Sequence, residues 1–357
     1  MRGRLRTLLI VAVTLGLLAL FLRQANLADV SREIGRARWS GLLAALVLTG
    51  LTYVLRACRW QVLLAPIGRV HFGPAFRATI IGFAVNSLLP ARAGEVLRPY
   101  LLARREGLRA SSAFATIILE RLLDLIAVLL LFGVFVLLYD AASFGRDPSL
   151  MRAVQAGGLA AGVSSVVGLA VLFVLAGHPE RLGTLAGEAR RVLPARAADF
   201  VVHLTTRFAE GLAIMRRPAL LGGAALLSLP LWLSIAGTHW LVARAFHIAM
   251  PFTGSFLLVA LLTVGVAVPT PGAVGGFHYA FRLGTTMFFG ASNERAVGAA
   301  LLAHAIAFVP VAIVGLVLML QDGLSLARVR GLSDGAGLAS EPTAAPPASG
   351  GAGGRVA

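Results

Sequence analysis

NSLLPARAGEVLRPYLL, Asn86 to Leu102, breaks an apolar stretch with Pro, Gly and charge where a membrane span should still be crossing. A second stretch, VAVPTPGAVGGFHYAFRL, Val266 to Leu283, does the same in the other half of the chain. Superposing Pro90 on Pro271 puts Gly94 on Gly275, so both breaks share P-x-x-x-G after a short apolar run. In lipid, backbone that leaves the helix is tolerated only where protein buries it or it lines a polar cavity. Apolar segments interrupted by Pro and Gly at corresponding places in two halves point to the binding site of a carrier. The pair therefore predicts a membrane carrier with its site at the breaks.

Composition agrees. Of 357 residues, 58% are hydrophobic and 13% charged, and mean hydropathy is +0.84; soluble domains carry charge at about a quarter of positions. The formal charge is +16, and all 32 basic residues are Arg. These arginines flank apolar runs, so positive-inside topology and contact with anionic lipid explain them better than nucleic-acid binding does. Cys58 is the single cysteine, which excludes an internal disulfide and a cysteine-based metal cage. Arg2, Arg4 and Arg6 ahead of Leu8–Leu22 imitate a signal peptide. Arg23 follows that run directly and the chain stays apolar afterwards, which favours an uncleaved first span.

Six apolar runs are long enough to cross a bilayer: about 5–22, 40–58, 114–138, 156–176, 219–242 and 297–320. Two more, about 78–89 and 254–268, are short and end in the breaks. Both flanks of the first short run are basic, with Arg56, Arg59, Arg69 and Arg77 before it and Arg92, Arg98, Arg104, Arg105 and Arg109 after it. A hairpin that enters from the cytoplasm through 78–89, turns at Pro90–Glu95 and returns through 96–108 keeps both clusters inside. The second hairpin, about 254–290, then enters from outside. The fold expected is an all-α polytopic membrane protein of six spans and two broken re-entrant helical hairpins, about eight membrane segments in an inverted-topology repeat. Eight full crossings also keep both termini inside; the shortness of the two runs, with polar residues following at once, favours hairpins.

On this scheme residues 1–140 form the first membrane repeat and 141–325 the second, with an Arg-rich cytoplasmic loop at 178–217. Both termini are cytoplasmic. Residues 200–216 have apolar positions at helical spacing and predict an interfacial helix. Residues 326–357 are Gly, Ala, Pro and Ser-rich and predict a disordered tail.

Charged side chains at membrane depth are costly and face a cavity or a partner, which makes them functional candidates. Arg92, Glu95 and Arg98 flank the first break. An Arg beside a helix N-terminus suits a phosphate, and Glu95 either holds Arg92 or pairs with a cationic headgroup. The alternative is a shallow hairpin with these groups snorkelling to water. Glu120, Arg121 and Asp124 open the third span; the two acids share a helix face, either as a functional cluster or as a lock between helices. Asn86 lies four residues before Pro90 and is placed to satisfy carbonyls that the break releases, or to touch ligand. In the second break Pro269, Pro271, Gly272, Gly275 and Gly276 leave backbone groups free and allow close approach. His278 and Arg282 share a face of the helix that follows; His203, His239, His247 and His304 show no metal-ligand spacing. No P-loop, G-x-S-x-G, zinc-type His motif or Asp-rich loop occurs, so a transporter without cofactor or metal is expected rather than an enzyme.

Three motifs in order carry a resemblance: N-x-L-L-P-x-R-x-G-E-x-x-R-P at Asn86–Pro99, E-R-L-x-D at Glu120–Asp124 and P-x-P-G-x-x-G at Pro269–Gly275. The chain resembles the flippase-like family, the transmembrane region of bacterial lysylphosphatidylglycerol synthases, also found as stand-alone proteins. The resemblance spans about residues 5–325. It implies an inner-membrane protein that moves a lipid or a lipid-linked molecule between leaflets, with Arg92, Glu95, Arg98, Glu120, Arg121 and Asp124 at matching positions. Family members commonly carry an acid three positions after the last Gly of the third motif, and here that position is His278. About 37 low-complexity residues follow the last span, so lysyl transfer is not expected.

Three functions compete. The first is a translocase for an anionic or polyprenyl-phosphate-linked lipid, motivated by Arg92 and Arg98 beside a break. The second is a membrane-embedded glycosyl or phosphoryl transferase, motivated by Glu95, Glu120 and Asp124. The third is a non-transporting partner of a lipid-biosynthesis enzyme. The missing metal-binding loop weighs against the second and the paired breaks against the third.

Overall fold

The computed structural model describes residues 25–89, 92–138, 213–267 and 270–324, with 18–23 and scattered positions at 12, 16, 152, 156–160, 163, 164 and 167. Among the described residues the regular structure is helical. Four helices are long and apolar enough to cross a membrane: α2 (Trp39–Leu64), α5 (Ala110–Leu138), α6 (Pro218–Ala245) and α9 (Asn293–Gln321). At about 1.5 Å per residue they exceed the ~30 Å hydrocarbon core. The chain is a multi-pass membrane protein. These helices match the runs expected at 40–58, 114–138, 219–242 and 297–320, and α2 continues past Cys58 to Leu64. The arginines that ended the apolar run in sequence are buried there by neighbouring helices. The expected spans at 5–22 and 156–176 lie largely outside the described residues, as do the loop 178–217, most of the helix expected at 200–216, and the tail. A polar helix that sequence reading passed over, α1 (Leu27–Arg36), precedes α2. Asn26 caps it by accepting from the Ala28 N–H at 3.0 Å, and Glu33 ties it to Arg295 at the start of α9 at 3.1 Å.

Two shorter pairs fill the space between the long helices. The first is α3 (Phe72–Leu88) with α4 (Gly94–Glu106); the second is α7 (Gly254–Val266) with α8 (Gly276–Phe289). Each is an antiparallel hairpin. At the open end of the first, His71 and Glu106 lie 3.1 Å apart. Arg77 on α3 and Arg105 on α4 both reach Asp322, just beyond the end of α9, at 2.8 and 2.6 Å. At the open end of the second, Gly254 faces the Phe289 ring, and α9 begins a few residues later at Asn293. The two hairpins therefore open toward opposite ends of α9.

Glycines set how closely each hairpin closes. A Cβ on Gly94 would run into the Gly82 carbonyl, and one on Gly265 would lie 2.5 Å from the Gly276 carbonyl. Backbone-to-backbone approach of this kind needs small residues, as in membrane helix packing generally. Helices α2 and α6 run against each other through small and hydroxylated residues. Thr52 and Ser234 hydroxyls are 2.8 Å apart, and Gly41 sits on Ala245. In lipid, where apolar burial does little for helix association, such contacts carry the packing.

Candidate functional site

The first break begins where α3 ends. Leu89 is extended (φ −113, ψ 145), and Arg92 takes a left-handed φ of 52, unusual for a residue with a Cβ. Pro90 lies outside the described residues. Asn86 accepts a hydrogen bond from the Gly94 N–H at 2.8 Å, so it satisfies a free donor at the start of α4. The expectation that Asn86 would serve released carbonyls is corrected: its amide oxygen meets an N–H. Arg92 lies 3.5 Å from Glu95 and donates at 3.3 Å to the Val266 carbonyl, at the end of α7 in the other hairpin. The backbone of Gly272 lies against the Ser87 carbonyl. The two breaks, 181 residues apart in sequence from Pro90 to Pro271, thus meet tip to tip.

In the second break, Pro271–Ala273 forms a 3-10 turn with Gly272 left-handed (φ 59) and Gly275 at φ 91. Pro269 lies outside the described residues. The Gly272 carbonyl pairs with His304 Nε2 at 2.7 Å, and the Thr270 hydroxyl donates to the Val274 carbonyl at 2.8 Å. The Gly275 N–H donates to His278 Nδ1 at 3.3 Å. His278 therefore does for α8 what an acid or amide does at the third position of a capping box. Its ring lies 4.4 Å from that of His304, with Phe277 and Phe308 packed beside the pair. His278 and Arg282 do share a face: both reach Phe21, in a helical stretch at 18–22.

Beside the first break, one step into the bundle, the structure gathers six charged side chains. Glu120 and Asp124 of α5 face Arg56 and Arg59 of α2, Arg98 of α4 and Arg121 of α5 itself. A single oxygen, Glu120 Oε1, lies 2.8 Å from Arg121, 3.0 Å from Arg98, 3.4 Å from Arg59 and 3.9 Å from Arg56. Asp124 is 2.7 Å from Arg59 and accepts from the Trp232 indole of α6 at 2.9 Å. Arg59 also donates to Ser228 of α6 at 2.8 Å, and the Arg98 guanidinium lies 3.8 Å over the Trp60 ring. Arg59 and Glu120 are 0% exposed and Arg98 3%. Burial this deep holds only with paired charge, and breaking one partner of such a network leaves an uncompensated ion.

Of the residues expected at the site, the structure brings Arg98, Glu120, Arg121 and Asp124 into one cluster. It puts Arg92 and Glu95 at the tip, and Asn86 and Gly94 in the hairpin wall. Gly272, Gly275, Gly276 and His278 build the opposite tip. Sequence reading used Arg56 and Arg59 only to orient spans; the structure corrects this, since both lie inside the bundle. Trp60, Ser228 and Trp232 carried no expectation from sequence, and His304 only that of lacking metal-ligand spacing. A signal existed for Arg56, Arg59 and Trp60: they share one face of α2 at i, i+3 and i+4, the kind of spacing that Glu120 and Asp124 show on α5. Lining the cleft between α3, α4 and α5 are Gly82, Phe83, Asn86, Gly94, Glu95, Arg98, Ile117 and Arg121. Through it the cluster reaches the hairpin tip.

These features define a helical multi-pass membrane protein with ionisable groups inside its bundle, the class in which such groups mark a path or a site. The chain matches the lysylphosphatidylglycerol synthase TM region over residues 7–315 and belongs to that family. It is 26% identical over 342 residues to Glycosyltransferase AglD of Haloferax volcanii, covering 89% of this chain and 54% of that protein. A UPF0104 membrane protein of Methanocaldococcus jannaschii is 31% identical over 101 residues, 28% of this chain and 30% of its own. Another, from Methanothermobacter thermautotrophicus, is 33% identical over 146 residues, 38% of each chain. The chain spans about half the length of the first relative and about a third of the other two.

Proposed function

We propose that this chain is an inner-membrane translocase that moves an anionic or lipid-linked substrate between leaflets, past the point where the two broken hairpins meet. The observation that carries the reading is the geometry of the breaks: each lies at the tip of a short helical hairpin, the hairpins open to opposite ends of α9, and the tips touch through Arg92 and the Val266 carbonyl. Read as re-entrant segments, α3–α4 and α7–α8 make the halves an inverted-topology repeat of six spans and two hairpins, with both termini cytoplasmic. That architecture suits alternating access, in which one repeat rocks against the other around a fixed central site. Membrane lipids are the partners this implies. Leaflet exchange of a fluorescent phospholipid in vesicles reconstituted with the full chain tests it. Exchange that depends on the protein is expected; a rate equal to that of protein-free vesicles sinks the reading.

The return of the first hairpin to its side of entry has its own test. Single cysteines at Arg69 and Arg104, in a Cys58→Ser background, should label from the same side of the membrane. Labelling from opposite sides would make α3 a crossing and remove the repeat.

The name Glycosyltransferase AglD, borne by a relative, favours a second reading, a membrane-embedded transferase using Glu95, Glu120 and Asp124. Adding a sugar-nucleotide donor and a polyprenyl phosphate to the same vesicles separates the two. A new glycolipid without leaflet exchange supports the transferase.

A further inference from the structure

We propose that the cluster on α2, α4, α5 and α6 is an anion site built for a doubly charged phosphate group, entered through the cleft at the tip of the first hairpin. The source of that phosphate, a lipid headgroup, rests on the translocase reading; the site itself does not.

Charge comes first. Among the described residues, four guanidiniums (Arg56, Arg59, Arg98 and Arg121) meet two carboxylates (Glu120 and Asp124), leaving two positive charges in excess. Excess charge of one sign inside a membrane bundle is destabilising unless a counter-ion completes it. Arg92 and Glu95 at the tip are paired with each other and leave the excess unchanged.

Hydrogen bonding points the same way. In the cluster six buried guanidinium nitrogens make no hydrogen bond: Arg56 Nη1, Arg59 Nε and Nη2, Arg98 Nε and Nη2, and Arg121 Nε. Two of them still face carboxylates as ion pairs, Arg59 Nη2 at 3.4 Å from Glu120 and Arg56 Nη1 at 3.8 Å from Asp124, and Glu120 Oε2 and Asp124 Oδ2 likewise make no hydrogen bond. Buried donors are almost always satisfied, and the three of Arg98 and Arg121 left open at the cleft mark where acceptor oxygens belong. Arg98, 3% exposed, and Arg121 line that cleft directly. Arg56 sits behind its wall, 4.8 Å over the Phe83 ring. Glu95 is also in the lining, where its charge acts on both Arg92 and Arg121. A planar guanidinium contacts two phosphate oxygens at once, and several of them around one phosphate satisfy all its oxygens. Two excess charges match a phosphomonoester dianion, such as phosphatidic acid or a polyprenyl monophosphate, better than a phosphodiester monoanion.

The cleft encloses about 10 Å³ in this conformation, room for one water. A phosphate enters only when the hairpin tip parts from α5. Alternating access requires a movement of that kind.

The test uses the purified full chain in detergent, read by tryptophan fluorescence, since Trp60 lies under Arg98 and Trp232 donates to Asp124. Titrants are short-chain phosphatidic acid, phosphatidylglycerol and diacylglycerol with the same tails, and inorganic phosphate. Phosphatidic acid should give a saturable change, phosphatidylglycerol should bind about tenfold more weakly, and diacylglycerol should give none. Inorganic phosphate that saturates with the same Arg98 dependence supports the site and makes free phosphate a source; phosphatidic acid binding without it assigns the lipid. Arg98→Gln should weaken phosphatidic acid binding about tenfold to hundredfold. Arg56→Gln separates site from fold: it removes one excess charge, so the ligand-free thermal midpoint should rise while the rise on adding phosphatidic acid shrinks. Diacylglycerol binding as tightly as phosphatidic acid, unchanged affinity in Arg98→Gln, or a lower ligand-free midpoint in Arg56→Gln would each overturn the proposal. Leaflet exchange that fails while phosphatidic acid still binds refutes the translocase and leaves the site standing.

Discussion

The two hairpins share a backbone plan and differ in chemistry. Both turn back after a short helix, and both close on a glycine pair, Gly82 with Gly94 and Gly265 with Gly276. The first hairpin carries charge on both sides of its tip: Arg92 and Glu95 at the turn, and Arg98 one turn deeper against Glu120. The second carries none at its turn. Its free backbone groups are taken by His278 and His304 among phenylalanines. One break gathers charge at and behind its tip, while the other has side chains that hold its own backbone in shape. The same hairpin plan thus carries one charged break and one uncharged break by side-chain choice alone.

That division can be broken most sharply at Glu120. Glu120→Gln leaves four buried guanidiniums facing one carboxylate and should cost about 3–5 kcal/mol, seen as loss of monodisperse protein in detergent. No side chain in the second hairpin should match this; if His278→Ala were equally severe, the two tips would not differ as described. Next in size are the glycine crossings. Gly94→Ala and Gly265→Ala each push a Cβ against backbone and should each lower stability by about 1–3 kcal/mol or more. Similar thermal shifts in the two variants are expected from the shared plan, and tolerance of one alone would show that the hairpins close differently. The smallest effect is at His278. His278→Ala strips the acceptor from a buried N–H and should cost about 1–3 kcal/mol, whereas His278→Gln keeps an acceptor and should stay within about 1 kcal/mol of wild type by the same thermal measurement. Equal loss in both would mean that the ring's packing, not its nitrogen, is what matters.

The backbone plan was legible because Pro and Gly inside apolar runs have few physical outlets in lipid. Four long helices and both short hairpins fall where hydropathy and arginine spacing put them. The partners of each charge were not legible. An arginine at the end of an apolar run looks the same whether it snorkels to water or turns inward, and only the counter-charge that another helix brings decides. For Arg56 and Arg59 that counter-charge comes from α5, some sixty residues later. Asn86 could be assigned to the break, but the expectation that it donates to freed carbonyls took the wrong end of an amide that offers both a donor and an acceptor. His278 shows why residue type misleads at a cap: the ring nitrogen accepts as a carboxylate oxygen would, without its charge. Helix α1 escaped because it is short and polar, although Asn26 ahead of it is a strong cap.

The claim that substrate passes where the tips meet is tested most directly by locking them. Ser87 and Gly272 face each other across the junction, so cysteines there, in a Cys58→Ser background, can be joined by a short, reducible thiol cross-linker. Leaflet exchange in reconstituted vesicles should stop on cross-linking and return on reduction, with either single-cysteine variant unaffected by the reagent. Exchange that continues at the wild-type rate with the tips fully cross-linked would contradict passage at this junction.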